Sequence, residues 1–255
     1  MSERIVWITG ASSGIGRAVA LEMAREGWRV VVSARRPEEL DSLAEEGPPG
    51  RITGIPVDVT DPDATVAAVE RIEAEIGPID CAVLAAGTHI PTSAGDFKTE
   101  DFRKLIEVNV MGVVHATAAV LPGFKERRSG HLVVVASIAG YRGLPTAAGY
   151  GATKAALINY TEALKFDLDD WGVKTQLVCP GFVRTPLTDK NPFPMPFLME
   201  VDDAARAMVR GMRGNGFEIT FPKRFTMLVR LVSRLPYALY FPLVRKGTKT
   251  GENAG

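Results

Sequence analysis

Short apolar runs rich in β-branched residues alternate with longer stretches of helical spacing along this chain, and that alternation leaves few folds open to it. The runs are "RIVWI" (4 to 8), "RVVVS" (29 to 33), "RITGIPV" (51 to 57), "CAVLA" (81 to 85), "HLVVVAS" (131 to 137) and "KTQLVCP" (174 to 180), with "FEITF" (217 to 221) as a seventh. Most are apolar through their length, as parallel strands covered on both faces must be. Helical patterns intervene at about 14 to 26, 37 to 45, 61 to 76, 99 to 123 and 149 to 171. Asp61 followed by Pro62 makes a helix start, a capping residue and then proline in the first turn.

Strand, helix, strand repeated in this way winds through right-handed crossovers. The expected fold is α/β: a single Rossmann-like domain over residues 1 to 222, with a doubly wound, mostly parallel seven-stranded sheet and helices on both faces. Ligands of such a sheet gather at the carboxyl ends of its strands. A length of 255 residues, 46% of them hydrophobic, suits one large domain with a sizeable core. Cys81 and Cys179 each fall in an apolar run and read as core thiols, which suits a reducing compartment. The opening "MSERIVWITG" enters a strand at once and leaves no room for a signal peptide, so a cytoplasmic location is expected. His89, His115 and His131 show no metal-ligand spacing, and no metal site is expected.

The first strand runs directly into "TGASSGIG", which offers Gly10, Ser12, Ser13, Gly14, Ile15 and Gly16 to a ligand. The spacing is G-x-x-x-G-x-G. Glycines permit the tight turn and the close approach of a pyrophosphate, and the helix starting near Gly14 aims free N–H groups at the phosphates. A glycine-rich turn can be purely structural, but between the first strand and first helix of such a sheet it favours a dinucleotide. NAD-binding sheets carry an acid at the end of the second strand. Here that strand ends "SARR", so Arg35 and Arg36 can bracket a 2′-phosphate, which favours NADP(H) over NAD(H). The alternative is a solvated arginine pair with Glu38 and Glu39 as helix partners.

"YGATK" (150 to 154) puts Tyr150 and Lys154 one helical turn apart. Alone, the pair reads as a solvated helix face. In company it reads otherwise. "TGASSGIG", "DVT" (58 to 60), "LAAG" (84 to 87), "NVMG" (109 to 112), Ser137, "YGATK" and "PGFVRT" (180 to 185), in this order, resemble the short-chain dehydrogenase/reductase family, compact carbonyl-reductase branch, over roughly residues 4 to 222.

The resemblance implies that Tyr150 is the general acid-base, that Ser137 hydrogen-bonds the substrate carbonyl, and that Asn109 holds a water chain resupplying protons through Lys154. It also gives Lys154 the nicotinamide ribose, and adds Asp58, Val59, Ala86, Gly87, Pro180, Gly181, Val183 and Thr185 to the cofactor contacts. Ala85 departs from the family's usual asparagine, which removes a hydrogen bond and predicts a modest stability effect. A tyrosine has a pKa of about 10. A lysine charge about 4 Å away, at an effective dielectric of about 20, would lower it by roughly three units. The expected activity is an NADPH-dependent reductase, reversible as a dehydrogenase, acting on a lipophilic aldehyde or ketone, in a homodimer or homotetramer with no nucleic-acid partner.

After the sixth strand, "PFPMPFLM" (192 to 199) is apolar and stiffened by prolines, suggesting a substrate lid over about 186 to 200, or else a loop tucked on the body. Residues 223 to 255 form a basic amphipathic tail. Its stretch 223 to 250 holds seven basic residues and no acid, leaving about −7 on the rest. Helical spacing puts Lys223, Thr226, Arg230, Ser233 and Arg234 on one face, with Phe225, Leu228, Val229, Val232 and Leu235 on the rest; Pro236 and Pro242 interrupt the pattern beyond Leu235. The tail is too broken to span a bilayer. It can cover the pocket, pack on a partner subunit, or lie on an anionic membrane surface. A non-catalytic NADP-binding regulator and a membrane-surface lipid-binding protein are the rival readings.

Overall fold

The computed structural model describes residues 3 to 188 and 195 to 248. Its sheet contains β1 (Ile5–Thr9), β2 (Arg29–Ser33), β3 (Ile52–Gly54), β4 (Cys81–Leu84), β5 (Gly130–Val135), β6 (Val173–Pro180) and β7 (Glu218–Phe221). They lie in the order β3-β2-β1-β4-β5-β6-β7, and every pairing is parallel. The chain moves outward through β2 and β3, then returns to lay β4 beside β1. That reversal opens a crevice at the carboxyl ends of β1 and β4, where ligands of doubly wound sheets bind. β3 is shorter than the sequence suggests, although Ile55 N and Val57 N still donate to Val32 O and Ala34 O at 2.9 and 3.0 Å.

Nine α-helices occur among the described residues: α1 (Gly14–Arg25), α2 (Pro37–Glu46), α3 (Pro62–Glu75), α4 (Thr99–Ile106), α5 (Gly112–Arg127), α6 (Ala148–Asp170), α7 (Val201–Arg213), α8 (Lys223–Ser233) and α9 (Tyr237–Thr248). Asp61 caps α3, its Oδ1 accepting from Ala64 N at 3.0 Å, with Pro62 behind it. One core joins Trp7, Ile72, Phe124, Leu132 and Leu157, and the other joins Val6, Ile8, Met23, Leu40 and Met208. Cys81 and Cys179 are buried free thiols, one in each.

Three elements depart from the periodicity. The pattern that reads as one helix over 99 to 123 is α4 and α5 joined by a single wide π turn, Glu107–Met111, and α5 runs on past Pro122. The 99 to 127 stretch is long and apolar enough for a membrane span, yet Leu105, Val120 and Phe124 are core residues, so one face of it packs on the body of the protein. α7 lies outside the helical patterns given above, although Ala204, Ala205, Met208, Val209 and Met212 give it a clean buried face. In the tail, Phe225 and Thr226 turn inward while Leu228 is exposed, so the expected grouping of Thr226 with the charged face does not hold. Pro242 lies inside α9 and does not end it.

Candidate active site

The glycine loop is shaped by close approach. Gly10 has φ +70°, and a Cβ there would stand 2.5 Å from Ala86 Cα. A Cβ on Gly16 would stand 2.5 Å from the Gly10 carbonyl oxygen, so helix α1 packs on the loop only because that position is glycine. Gly14, at φ +58°, faces Thr185, whose methyl would lie 3.2 Å from an added Cβ. The loop therefore touches both the β4 and the β6 connections. Ser13 caps α1 by backbone conformation alone, with no side-chain hydrogen bond to the helix N–H groups, which leaves these donors for an anion. At the end of β2, Arg36 is held by Glu39 at 3.0 Å, whereas Arg35 is exposed and makes no ion pair among the described residues. Asp58 is exposed, its Oδ1 accepting from Thr60 N at 3.0 Å, and Val59 packs beneath it against Gly112. Past β6, Gly181 N donates to Phe221 O at 2.8 Å, following Pro180. Val183 is buried and bridges to Met199, which ties the base of the expected lid to the sheet.

The candidate catalytic side chains converge beside this loop. Ser137, just beyond β5, accepts from Ala139 N at 3.1 Å and lies beside Tyr150, close enough to favour its phenolate, and Tyr150 stands in the first turn of α6. Lys154, one turn on, is buried and donates from Nζ to Val135 O at 2.9 Å. Its ammonium is 5.7 Å from the Tyr150 ring centroid. The expected lowering by the lysine is not what the site produces: burial pushes the Tyr150 phenol up to about 12, partly offset by the neighbouring Ser137. Burial likewise lowers Lys154 to about 8.

Asn109, on the π turn and fully buried, accepts from Thr88 N at 2.7 Å and donates to Thr88 O and Thr153 Oγ1, each at 3.0 Å. Its carboxamide clamps the segment after β4 to helix α6. A Cβ on Gly87 would sit 3.4 Å from Asn109 Oδ1 and 3.6 Å from Lys154 Nζ, so the two side chains border one small space.

That clamped segment carries a residue that sequence alone leaves among the scattered histidines. His89 stacks edge-on against Tyr150, ring centroids 4.8 Å apart. Its Nδ1 is buried without a partner, and burial lowers its pKa, so the ring is neutral near pH 7. The one hint in the sequence is its place two residues after the "AAG" turn. The lid reading falls partly outside the described residues, which exclude Pro192, Phe193 and Pro194. Within them, Phe197 adopts a left-handed φ of +59°. Its ring stacks on Phe225 of α8 at 5.7 Å, and Phe225 stacks on Phe182 at 5.4 Å. Lid and tail therefore meet. No cluster of three His, Cys, Asp or Glu side chains occurs among the described residues.

Comparison with known proteins agrees with this geometry. The family described as short chain dehydrogenase matches residues 4–193. An uncharacterised oxidoreductase of Myxococcus xanthus is 42% identical over 248 residues, 96% of this chain and 98% of its own. A short-chain dehydrogenase from Streptomyces avermitilis superposes with a TM-score of 0.81 at 26% identity, covering 96% of this chain and 95% of that one. ElxO with NADP bound superposes with a TM-score of 0.75 at 26% identity, covering 86% and 97%. The chain thus belongs to the short-chain dehydrogenase family, oxidoreductases served by a nicotinamide cofactor.

Proposed function

We propose that the protein is an NADPH-dependent reductase, able to run in reverse as a dehydrogenase, for a lipophilic aldehyde or ketone. The observation that carries this reading is Ser137 standing beside Tyr150 at the carboxyl edge of the sheet, with Lys154 and Asn109 behind them. The bound nicotinamide supplies or takes up the hydride. The chain handles the proton and the carbonyl. Ser137 and the Tyr150 hydroxyl donate hydrogen bonds to the substrate oxygen, which polarises the carbonyl. With its pKa near 12, Tyr150 carries its proton throughout the physiological range, and an alkoxide is a far stronger base than a phenolate, so the transfer runs downhill in reduction. Lys154, charged below about pH 8, favours the phenolate left behind and would hold the nicotinamide ribose.

Arg35 is the natural ligand for a 2′-phosphate, since Arg36 is engaged by Glu39. The glycine loop, Asp58, Val59, Ala86, Gly87, Pro180, Gly181, Val183 and Thr185 would line the rest of the dinucleotide. The Phe182–Phe225–Phe197 stack supports an apolar substrate. In this reading the enzyme is cytoplasmic and works as a homodimer or homotetramer. A non-catalytic regulator would have no use for a serine and a tyrosine side by side at that spot. The test is NADPH oxidation by the purified protein against a panel of aldehydes, ketones, keto steroids and ketoacyl thioesters. Turnover of at least one apolar carbonyl is expected, and none across the panel would overturn the reading.

A further inference from the structure

We propose that helices α8 and α9 dock the protein on the surface of an anionic lipid bilayer. The two helices keep very little of their apolar surface inside. On α8, Phe225 and Thr226 face the body, while Met227, Leu228 and Leu231 are 69%, 52% and 65% exposed on the other side. The residues of α9 from Tyr237 to Val244 carry no charge, yet Leu239, Phe241 and Leu243 are 59%, 58% and 48% exposed. A helix that is apolar on all sides is normally enclosed. Among its described residues the buried ring is Tyr240, whose hydroxyl donates to Gly143 O at 2.7 Å. Arg142 completes the anchor, its guanidinium 4.3 Å and 4.1 Å from the Tyr237 and Tyr240 rings.

Charge identifies the occupant. Residues 223 to 250 contain seven basic residues and no acid, and the rest of the chain sums to −7. On α8 and just past its end, Lys223, Arg224 and Arg234 are interleaved with the exposed apolar side chains. An apolar face whose every charge is positive matches the headgroup region of an anionic bilayer, where the aliphatic side chains enter the acyl boundary and the basic groups stay among phosphates. A second copy fits poorly, since a two-fold contact would press two cationic faces together. At 12 residues, α9 is too short to span, so it lies in the plane of the interface. Phe225, on the inner side of α8, carries the Phe197 ring of the lid region, so the docked helix and the expected lid share a contact.

The test is flotation of the full-length protein with phosphatidylcholine vesicles, with and without phosphatidylglycerol, at low and high salt. Flotation is expected only with phosphatidylglycerol, and it should weaken as salt screens the charges. Leu239→Glu with Phe241→Glu should lower binding at least about tenfold. Lys223→Glu with Arg224→Glu should do the same. All four positions are exposed, and an unchanged melting temperature verifies that each variant folds. No flotation of the unaltered protein, equal flotation with neutral vesicles, or unchanged flotation of the Leu239→Glu, Phe241→Glu variant would each overturn the proposal. So would a concentration-dependent oligomer that these substitutions dissolve while no vesicle binding is seen.

Discussion

Replacing Asn109 by alanine distinguishes two roles for that residue. In the structure its side chain makes three hydrogen bonds, at 2.7, 3.0 and 3.0 Å, two of them to the backbone of Thr88. Asn109→Ala leaves the Thr88 N–H and C=O without these partners. A buried polar group stripped of its partner costs about 1–3 kcal/mol. Thr88 is itself half-buried, so water recovers part of that, and a total near 2–3 kcal/mol is reasonable. For a domain of this size such a loss lowers the melting temperature by about 4–12 °C. Turnover should fall as well, because the released segment carries His89 against Tyr150. The assay pairs thermal melting with steady-state reduction kinetics on the same preparation. If activity collapses while the melting temperature stays within about a degree, the clamp reasoning is wrong, and the water-relay role implied by the family resemblance accounts for Asn109.

Tyr150→Phe should lower turnover by at least about a hundredfold, the usual worth of a positioned acid, with NADPH affinity by fluorescence titration unchanged within a few-fold; retained activity would remove Tyr150 as proton donor. Arg35→Ala should weaken NADPH about ten- to hundredfold and leave NADH nearly untouched, as loss of one charge-assisted phosphate contact implies; equal losses would make Arg35 a fold residue. Because Lys154 is lowered to about 8 while Tyr150 is raised to about 12, kcat/KM for reduction should be flat near neutrality. It should then fall as pH rises through about 8 and the ammonium discharges, and a profile flat well above that value would refute the assignment. In a straight-chain aldehyde series, kcat/KM should rise up to about fourfold per methylene until the pocket fills, and Phe197→Ala should flatten the trend. Deleting all of residues 223 to 255 is a poor alternative test, since Phe225 and Thr226 are part of the packed body.

Periodicity and turn chemistry alone determined the seven strands in chain order, most of the helices between them, the helix start at Asp61 and the glycine loop. These follow from local rules: apolar runs for covered strands, glycine for positive φ, an N-cap for orphan donors. The resemblance carried by the ordered motifs supplied the residue roles. Other features depend on neighbours distant in sequence. The direction of the Tyr150 shift is one: helical spacing put a lysine one turn away, but β5 draws that ammonium to Val135 O, and burial then decides the phenol's pKa. His89 is another, since the Asn109 clamp from the π turn and the Thr92 N–Thr146 O hydrogen bond together hold its segment toward α6. The faces of the tail are a third. Amphipathic spacing could not tell an inward Thr226 from an outward Leu228, because both sides of α8 are part apolar, and the choice was made by Phe182 and Phe197 closing on Phe225.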